Sequence, residues 1–524
     1  MKAPQEPPAH LSAASNRVGV YLCFWLFLGC AVTFHLWFIA SGRLDLAPDE
    51  AHYWTWSKRL DWSYYSKGPM VAYLIALSTR LGGDTDFYVR LPAVILSAGT
   101  GLLTFLLARE LCGSARAGLD AVLLLGAMPL AQAGSILMTI DAPLVFFWVL
   151  ALFSTHRALE GSHTGWWLLA GTALGFGLLS KYTMAVMIPQ IFLYLALSKG
   201  HRYWISRPGP YLALGIGLPL FIPVVWWNAL HDWISFRHVL GQIGWGKVAV
   251  SPLNTLGEFA GSQIAVVTPV LFTLLVIGIW RVGRAGLGRR ADDASLFLFC
   301  GSVPLLLVCL LVSLWAKVQA NWAAATYIGA AIAAAVWLSG SSRNAIPYLG
   351  TWAARSLFAT ALLTGFLVSG IGYFPQSLAS IGLPLPHNID PTKRLRGWKE
   401  LGLQVSEIHY EMSRRRATFL FSDQYAIASE VMFYVPGHPK TYNIPLGRRM
   451  NQFDVWGGTE EVLGWDAIFV TGRTGEPPPA ILRSFESVQR DWPHHLATLD
   501  KNSSWSIFRC YGFRGFWPLE PHGY

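Results

Sequence analysis

Apolar residues dominate the chain between Val18 and about residue 374, where they form runs separated by short polar loops. A helix that crosses the roughly 30 Å hydrocarbon core of a bilayer needs about 20 apolar residues. By that measure the pattern predicts about eleven membrane-spanning helices. Their predicted centres lie near residues 29, 99, 126, 150, 172, 190, 219, 270, 304, 331 and 362. The first run, 18–40, is longer than the core of a signal peptide, so we expect it to be retained.

The pattern changes after residue 374 to short apolar runs separated by charges and prolines. Strand-like runs at 418–421 and 467–470 are each followed by a helix-like stretch. We therefore predict a polar tail at 1–17, an all-α membrane domain at 18–374 and a small α/β domain at 375–524.

Basic residues concentrate in alternate loops, as the positive-inside rule requires of cytoplasmic loops. These residues are Arg109, Arg116, Arg157, Lys199, Arg202, Arg207, Arg281, Arg284, Arg289, Arg290, Arg343 and Arg355. This register predicts a cytoplasmic N-terminal tail. It predicts that the first loop (41–88) and the C-terminal domain lie on the outer side of the cytoplasmic membrane.

Composition excludes the ordinary soluble class, because 53% of the 524 residues are hydrophobic, only 13% are charged and the mean hydropathy is +0.39. The 40 Lys and Arg exceed the 30 Asp and Glu, but they are spread over loops, so no nucleic-acid partner is predicted. The six Cys and 14 His form no disulfide framework or metal motif. The sequence shows no Walker or dinucleotide motif, and the glycines at 171–177 favour close helix packing instead.

The first loop carries the most informative polar residues, beginning with Asp49 and Glu50 and continuing to Lys67. A carboxylate there can accept a proton from an attacking hydroxyl, and a lysine can neutralise a departing phosphate. The structural alternative is that Asp49 and Glu50 cap a helix after Pro48, with the surrounding aromatic residues forming an interfacial belt.

The segments 49–54 (DEAHYW) and 64–73 (YYSKGPMVAY) resemble the first outer loop of the C-type glycosyltransferase (GT-C) superfamily. More narrowly, they resemble bacterial relatives of protein O-mannosyltransferases, the group that contains the lipid A aminoarabinose and galacturonic acid transferases. The resemblance implies Asp49 as the catalytic base and Lys67 as a ligand of the donor phosphate. The further candidates in this loop are Glu50 for catalysis and His52, Tyr64 and Tyr65 for substrate binding. Lys67-Gly68-Pro69 departs from the commoner Pro-Pro step, which should alter loop geometry more than charge.

Three further elements match the same family in order. Thr139-Ile-Asp141-Ala-Pro resembles its Thr/Ser-Asp-Ala-Pro-Leu turn, although a helix cap would also explain Asp141. Lys181 and Tyr182 interrupt an apolar run and are candidates for donor binding, with snorkelling of the lysine as the alternative. The third element, 315–322 (WAKVQANW), resembles a Lys-to-Asn-Trp element and adds Lys317 and Asn321 as donor-binding candidates.

The C-terminal domain contributes candidates for acceptor binding. The segments 422–437 and 446–456 resemble the outer domain of bacterial members of the family. Arg448, Arg449, Gln452 and Asp454 could bind an anionic or hydroxyl-rich acceptor. A surface salt-bridge cluster is the alternative.

Together these observations predict an inverting glycosyltransferase that moves a sugar from polyprenyl (undecaprenyl) phosphate to a lipid or lipopolysaccharide acceptor, in a bacterial inner membrane. Transfer to Ser or Thr of an exported protein, and transport of a lipid or solute, remain alternatives. No cofactor is firmly predicted; Asp49, Glu50 and Asp141 could hold a divalent ion. The sugar, the acceptor and the oligomeric state are left open.

Overall fold

The chain is described by a computed structural model over residues 9–161, 163–244, 251–289, 292–339, 351–386, 389–491 and 505–516. Residues 1–8 of the expected tail, Arg290 and Arg343 lie outside the described residues.

Helices form most of the described chain. In chain order they are α1 (Ala9–Ala40), α2 (Pro48–Ser57), α3 (Met70–Gly82), α4 (Asp86–Cys112), α5 (Ala115–Gly126), α6 (Pro129–Ile136), α7 (Asp141–Gly161), α8 (Thr164–Ser180), α9 (Met187–Leu197), α10 (Pro208–Leu230), α11 (Ile234–Gln242), α12 (Pro252–Val267), α13 (Pro269–Gly286), α14 (Asp293–Val312), α15 (Thr326–Ser339), α16 (Thr351–Tyr373), α17 (Gln376–Ser380), α18 (Trp398–Ser413), α19 (Tyr425–Tyr434), α20 (Gln452–Trp456) and α21 (Pro479–Ser484). Short 3-10 helices lie at Tyr182–Val186, Arg202–Ser206, Ala320–Ala323 and Thr459–Val462.

Seven helices in the described ranges are long and apolar enough to cross a membrane. They are α1, α4, α7, α10, α13, α14 and α16. Helices α5 and α6, which meet at a 78° bend, make an eighth span if they are counted together. All eleven centres predicted from the sequence fall within helices. The prediction of a helical, multi-pass membrane protein with a small α/β domain is confirmed, whereas the number eleven stays a prediction.

The chain divides into two compact units. The first contains residues up to Phe38, Leu91–Trp226 and Gln242–Leu385. The second contains Ile39–Arg90, Trp227–Gly241 and the residues from Pro386 onward. The first loop (41–88) thus folds in one unit with the C-terminal domain.

The first unit is a bundle whose core is built from small and aromatic side chains. Six residues of α15, at 330–335, are 0 or 1% exposed. Close helix contact also explains the glycines of α8: a Cβ on Gly171 would lie 2.4 Å from the carbonyl oxygen of Ala213 on α10. The packing role predicted for these glycines is confirmed, since only a residue without a side chain fits there.

The second unit contains a five-stranded sheet of β1 (Thr418–Ser422), β2 (Thr441–Asn443), β3 (Asp466–Thr471), β4 (Phe485–Arg490) and β5 (Ser506–Phe513). The strand order is β2-β1-β3-β5-β4. Strands β2, β1 and β3 are parallel, and β5 is antiparallel to both of its neighbours, β3 and β4. Alternate residues of β1 face opposite sides: Leu420 packs with α18 and α19, whereas Phe419 and Phe421 join an aromatic cluster. Both faces of β1 are therefore covered, as a continuous apolar strand requires.

Candidate active site

In the first unit, three of the predicted residues meet at Asp141. Its Oδ1 accepts a hydrogen bond from Lys181 Nζ at 2.7 Å, and its Oδ2 accepts one from Asn321 Nδ2 at 2.5 Å. The side chains of Lys181 and Asp141 are only 9% and 13% exposed. Residues 40 and 180 positions away in the sequence therefore converge on one carboxylate.

Local sequence explains why these side chains sit at chain breaks. Helix α7 begins at Asp141 and continues through Pro143, whose fixed φ suits a first turn. Helix α8 ends because Lys181 is extended, at φ −156° and ψ 133°. Asn321 lies in the 3-10 helix Ala320–Ala323. Each polar group therefore projects from an interruption of the apolar helices, where the backbone is free to change direction.

A cavity of about 290 Å³ in the first unit has Asp141 and Asn321 in its wall. Most of the remaining lining is apolar and comes from α1, α4, α5, α6 and α7, with polar groups of His35, Gln132 and Ser135 among it. The cavity therefore combines a hydrogen-bonding cluster with an extended apolar surface. This combination suits an amphipathic ligand.

Two residues that the sequence analysis missed hold the Asn321 turn. Gln263 on α12 is 2% exposed and donates to the carbonyl oxygen of Ala320 at 3.1 Å. The hydroxyl of Tyr327 donates to Gln263 Oε1 at 2.5 Å. A glutamine inside an apolar helix was the only available signal, because polar groups in membrane helices seek buried partners.

The other two candidates of the first unit have different surroundings. Lys317 forms an ion pair with Glu258 at 3.3 Å, and the two side chains are 72% and 59% exposed. The ring of Tyr182 packs edge-on against Phe221, with centroids 5.5 Å apart.

In the second unit, the adjacent carboxylates of Asp49 and Glu50 have opposite environments. Asp49 is exposed, and its Oδ1 accepts a hydrogen bond from the hydroxyl of Tyr425 at 3.1 Å. Glu50 is fully buried, and its Oε2 accepts from the backbone amide of the N-cap residue Ala47 at 2.8 Å. The capping alternative considered for the pair therefore describes Glu50.

Glu50 is also tied to Arg90, which the sequence analysis missed. Arg90 Nη2 lies 2.8 Å from Glu50 Oε2, and the two side chains are 3% and 0% exposed. The same guanidinium donates to the carbonyl oxygens of Leu44 and Asp45 at 2.9 and 2.6 Å. A single arginine near the start of an apolar helix signals such a buried pair, but its partner is not visible in the sequence.

His52 and Tyr64 are packed within the unit. Trp56 Nε1 donates to His52 Nε2 at 3.2 Å, and His52 Nδ1 is 3.0 Å from the hydroxyl of Ser429. Burial lowers the pKa of His52 to about 3, so the ring is neutral in ordinary buffers. Tyr64 is fully buried, and its ring stacks on Trp56 with centroids 4.4 Å apart.

Tyr65 and Lys67 lie in a region with further polar and cationic groups. The Tyr65 amide donates to Gln452 Oε1 at 2.6 Å, and its ring is 4.8 Å from that of His238. Burial, and then the charges of Lys67 and Arg449, lower the pKa of His238 to about 4. Two cationic side chains, Lys67 and Arg449, therefore act on His238, and cationic groups of this kind attract anions.

Arg448 and Asp454 form a bidentate ion pair with N–O distances of 2.7 and 2.8 Å. Arg448 also donates to the carbonyl oxygens of Ile444 and Asn443, and Asp454 accepts from the amide of Asn451 at 2.7 Å. Arg449, by contrast, is exposed. Among the acceptor-binding candidates, Arg449 therefore has the side chain most available to a ligand. The described part of the chain contains no group of three or more His, Cys, Asp or Glu residues placed to hold a metal ion.

Known proteins share parts of this sequence. Residues 66–227 match the dolichyl-phosphate-mannose-protein mannosyltransferase family. The chain is 29% identical over 309 residues to the lipid A galacturonosyltransferase RgtD of Rhizobium johnstonii, covering 58% of this chain and 63% of that protein. It is 31% identical over 201 residues to the undecaprenyl phosphate-alpha-4-amino-4-deoxy-L-arabinose arabinosyl transferase of Pseudomonas aeruginosa, covering 35% and 36% of the two chains. The chain thus spans less than two thirds of the length of these curated relatives.

The solved structures extend the likeness to nearly the whole chain. ArnT from Cupriavidus metallidurans, in its crystal structure bound to undecaprenyl phosphate, superposes with a TM-score of 0.60 over 93% of this chain and 98% of that one, at 15% identity. The chain has the GT-C glycosyltransferase fold. The resemblance inferred from the sequence motifs is confirmed.

Within this GT-C fold, the structure gathers some of the predicted site residues and separates the roles of others. Asp141, Lys181 and Asn321 form one cluster, which sequence order alone did not require. Asp49 stays accessible while Glu50, His52 and Tyr64 are built into the unit. Tyr425, which reaches Asp49 from α19, was not predicted as a site residue.

Proposed function

We propose that this protein transfers a sugar from undecaprenyl phosphate, or a related polyprenyl phosphate, to a hydroxyl group of lipid A or a similar lipid, with inversion at the anomeric carbon. The observation that carries the proposal is the cluster of Asp141, Lys181 and Asn321, of which Asp141 and Asn321 line a largely apolar cavity within a membrane-spanning bundle. A lipid-linked sugar has the matching division into a polar head and a long apolar chain. The relatives named for such donors and for lipid A support the same chemistry.

Asp49 is the proposed general base. Its Oδ1 is occupied by the Tyr425 hydroxyl, and the described residues supply no hydrogen bond to Oδ2. That oxygen can take the proton of the acceptor hydroxyl while the acceptor oxygen bonds to the anomeric carbon. The bond between that carbon and the phosphate oxygen breaks, and polyprenyl phosphate leaves with the electron pair. Attack from the side opposite the phosphate inverts the configuration.

Cationic groups stabilise the charge that gathers on the leaving phosphate. Lys67 is the proposed phosphate ligand of the second unit, where Arg449 is a second cation that acts on His238. In the first unit, Asp141 and Asn321 form the polar part of the cavity wall that contacts the substrate head, and Lys181 is bound to Asp141. Glu50, His52 and Tyr64 keep α2 in place, and Arg449 is the acceptor-binding candidate with the most accessible charge.

The proposed location is a bacterial inner membrane, with the first outer loop and the C-terminal domain on the periplasmic side. The distribution of basic residues among alternate loops supports this orientation. Cysteine substitutions in the first loop and at Arg355, labelled from outside intact cells, test it. Labelling of the Arg355 position but not of the loop would reverse the orientation.

The enzymatic test incubates the purified protein with undecaprenyl phosphate-linked aminoarabinose or galacturonic acid and with lipid A, with and without EDTA. We expect the wild type to form glycosylated lipid A and Asp49→Asn to be about 10² to 10⁴-fold slower. Transfer only to a Ser- or Thr-containing peptide would replace the lipid acceptor by a protein. Movement of lipid across vesicles without donor consumption would refute the transferase proposal.

A further inference from the structure

We infer that Tyr425 of the C-terminal domain is a positioning residue for the reaction, because its hydroxyl fixes the carboxylate of Asp49 with one oxygen held and the other turned to the acceptor. The inference rests on the function proposed above. It adds a residue 376 positions from Asp49, in a segment that the chemistry of the first loop alone would not include.

The first support is the direction of the hydrogen bond. Tyr425 Oη donates to Asp49 Oδ1 at 3.1 Å. Burial, followed by the charge of Asp49, raises the pKa of the Tyr425 hydroxyl, so the hydroxyl keeps its proton and remains a donor. A neutral donor orients a carboxylate without placing a compensating positive charge beside it. This contact therefore differs from that of Glu50, whose partner is the cationic guanidinium of Arg90.

The second support is that Tyr425 is itself held in place. Ser429, one helical turn along α19, is 3.0 Å from His52 Nδ1 on α2. The ring of Tyr425 lies 4.9 Å from that of His52, which also stacks on Phe453 at 5.6 Å. These contacts fix α19 against α2 through groups that do not titrate in an ordinary assay, since His52 is neutral there. The position of the hydroxyl is therefore set by the fold before substrate binds.

Loss of the Tyr425 hydroxyl should therefore affect kcat and KM differently. A residue that aligns a general base acts mainly in the transition state, so its loss lowers kcat and leaves KM nearly unchanged. A hydrogen bond to a charged group contributes about ten- to a hundredfold in such a comparison. A residue that only supports the domain would instead lower thermal stability, or change both constants together.

The test uses the full-length protein with undecaprenyl phosphate-linked aminoarabinose or galacturonic acid, whichever it consumes, and lipid A as acceptor. Tyr425→Phe removes one oxygen and keeps the ring that packs on His52. The matched control is Tyr442→Phe, which deletes a hydroxyl in the same domain that donates to the carbonyl oxygen of Gly458 at 3.1 Å. Melting temperatures are measured for every variant.

We expect Tyr425→Phe to lower kcat about ten- to a hundredfold with the donor KM within about twofold. We expect Tyr442→Phe to retain the wild-type kcat. In an Asp49→Asn background, Tyr425→Phe should have no further effect, because the group that it orients has been removed.

A wild-type kcat for Tyr425→Phe would overturn the inference, as would an equal loss that persists undiminished in the Asp49→Asn background. If Tyr425→Phe melts well below the wild type, this double-variant comparison still decides between the two roles. The proposed function fails separately: if Asp49→Asn is as active as the wild type, the base assignment is wrong. If Asp49→Asn is inactive and Tyr425→Phe is normal, only the role of Tyr425 is wrong.

Discussion

Each unit contains a buried ion pair that involves a carboxylate from a sequence motif, and the two pairs have different partners. In the second unit, Glu50 is held by the guanidinium of Arg90, which also donates to two backbone carbonyl oxygens. In the first unit, Asp141 is held by an ammonium and an amide and lies in the wall of a cavity. A guanidinium with several fixed acceptors is a permanent part of the structure, whereas a lysine can exchange one acceptor for another. We therefore propose that the Glu50–Arg90 pair stabilises the fold and that the Asp141–Lys181 pair contacts the substrate.

Glu50→Gln tests the architectural pair and should have the largest effect on stability. The variant leaves the Arg90 guanidinium buried without its anion, which costs about 3–5 kcal/mol. Thermal unfolding of the purified protein in detergent micelles, followed by tryptophan fluorescence, measures the loss. Glu50→Leu combined with Arg90→Met removes both charges and should recover part of it. A Glu50→Gln variant with the wild-type melting temperature and low activity would instead make Glu50 a catalytic residue.

Lys181→Met tests the exchangeable pair, and its effect should appear in activity. Removing one donor to developing charge typically costs about a hundredfold or more in rate. We expect the kcat/KM for the donor to fall by about that factor. Leu178→Met, at a buried position in the last turn of α8, serves as the control because it changes packing without changing charge. A Lys181→Met protein that turns over normally would assign this pair to architecture as well.

The sequence predicted the strands of the second unit more completely than the contacts of the candidate site residues, for a physical reason. Hydrophobic periodicity depends on neighbouring residues, so the strands at 418–421 and 467–470 were located to within about a residue. Asp141, Lys181 and Asn321 were each predicted from a different sequence motif. Their meeting at Asp141 depends on contacts across 40 and 180 residues. Adjacent carboxylates at 49 and 50 look alike in the sequence, because the groups that distinguish them, Arg90 and Tyr425, lie far along the chain.

Glu430→Gln extends the comparison to a buried carboxylate without a described partner. Both oxygens of Glu430 lack hydrogen-bond partners in the described structure, and the side chain is 1% exposed. Burial, then the charges of Asp45 and Glu50, raises the pKa of Glu430 well above its usual value, with Arg90 opposing this shift. Above the ordinary pKa of about 4.5, the unfolded chain releases a proton that the folded chain retains. Stability from this group therefore falls as pH rises toward the folded pKa.

Replacing Glu430 with a neutral glutamine removes this dependence of the protein's stability on pH. We expect the melting temperature of Glu430→Gln to exceed that of the wild type by a margin that grows from pH 5 to pH 8. Asp423→Asn, at a buried carboxylate paired with Arg473 at 2.7 Å, is the contrasting variant and should destabilise the protein. A margin for Glu430→Gln that is constant over this pH range would mean that the carboxyl does not titrate differently in the folded state.

Lys317 provides the exposed counterpart of the two buried pairs, and its replacement should have the smallest effect. Its partner Glu258 and its own side chain are mostly in contact with solvent, where an ion pair contributes about 0–1 kcal/mol and is screened by salt. We expect Lys317→Ala to change kcat/KM by about twofold or less at 150 mM salt. Asn321→Ala, four residues later, removes a donor to Asp141 and should cost about tenfold. A loss for Lys317→Ala that equals the loss for Asn321→Ala and persists at high salt would mean that substrate draws Lys317 away from Glu258. Lys317 would then be a substrate-binding residue that is exposed in the free protein. Its ion pair with Glu258 would be exchangeable, like that of Lys181 with Asp141.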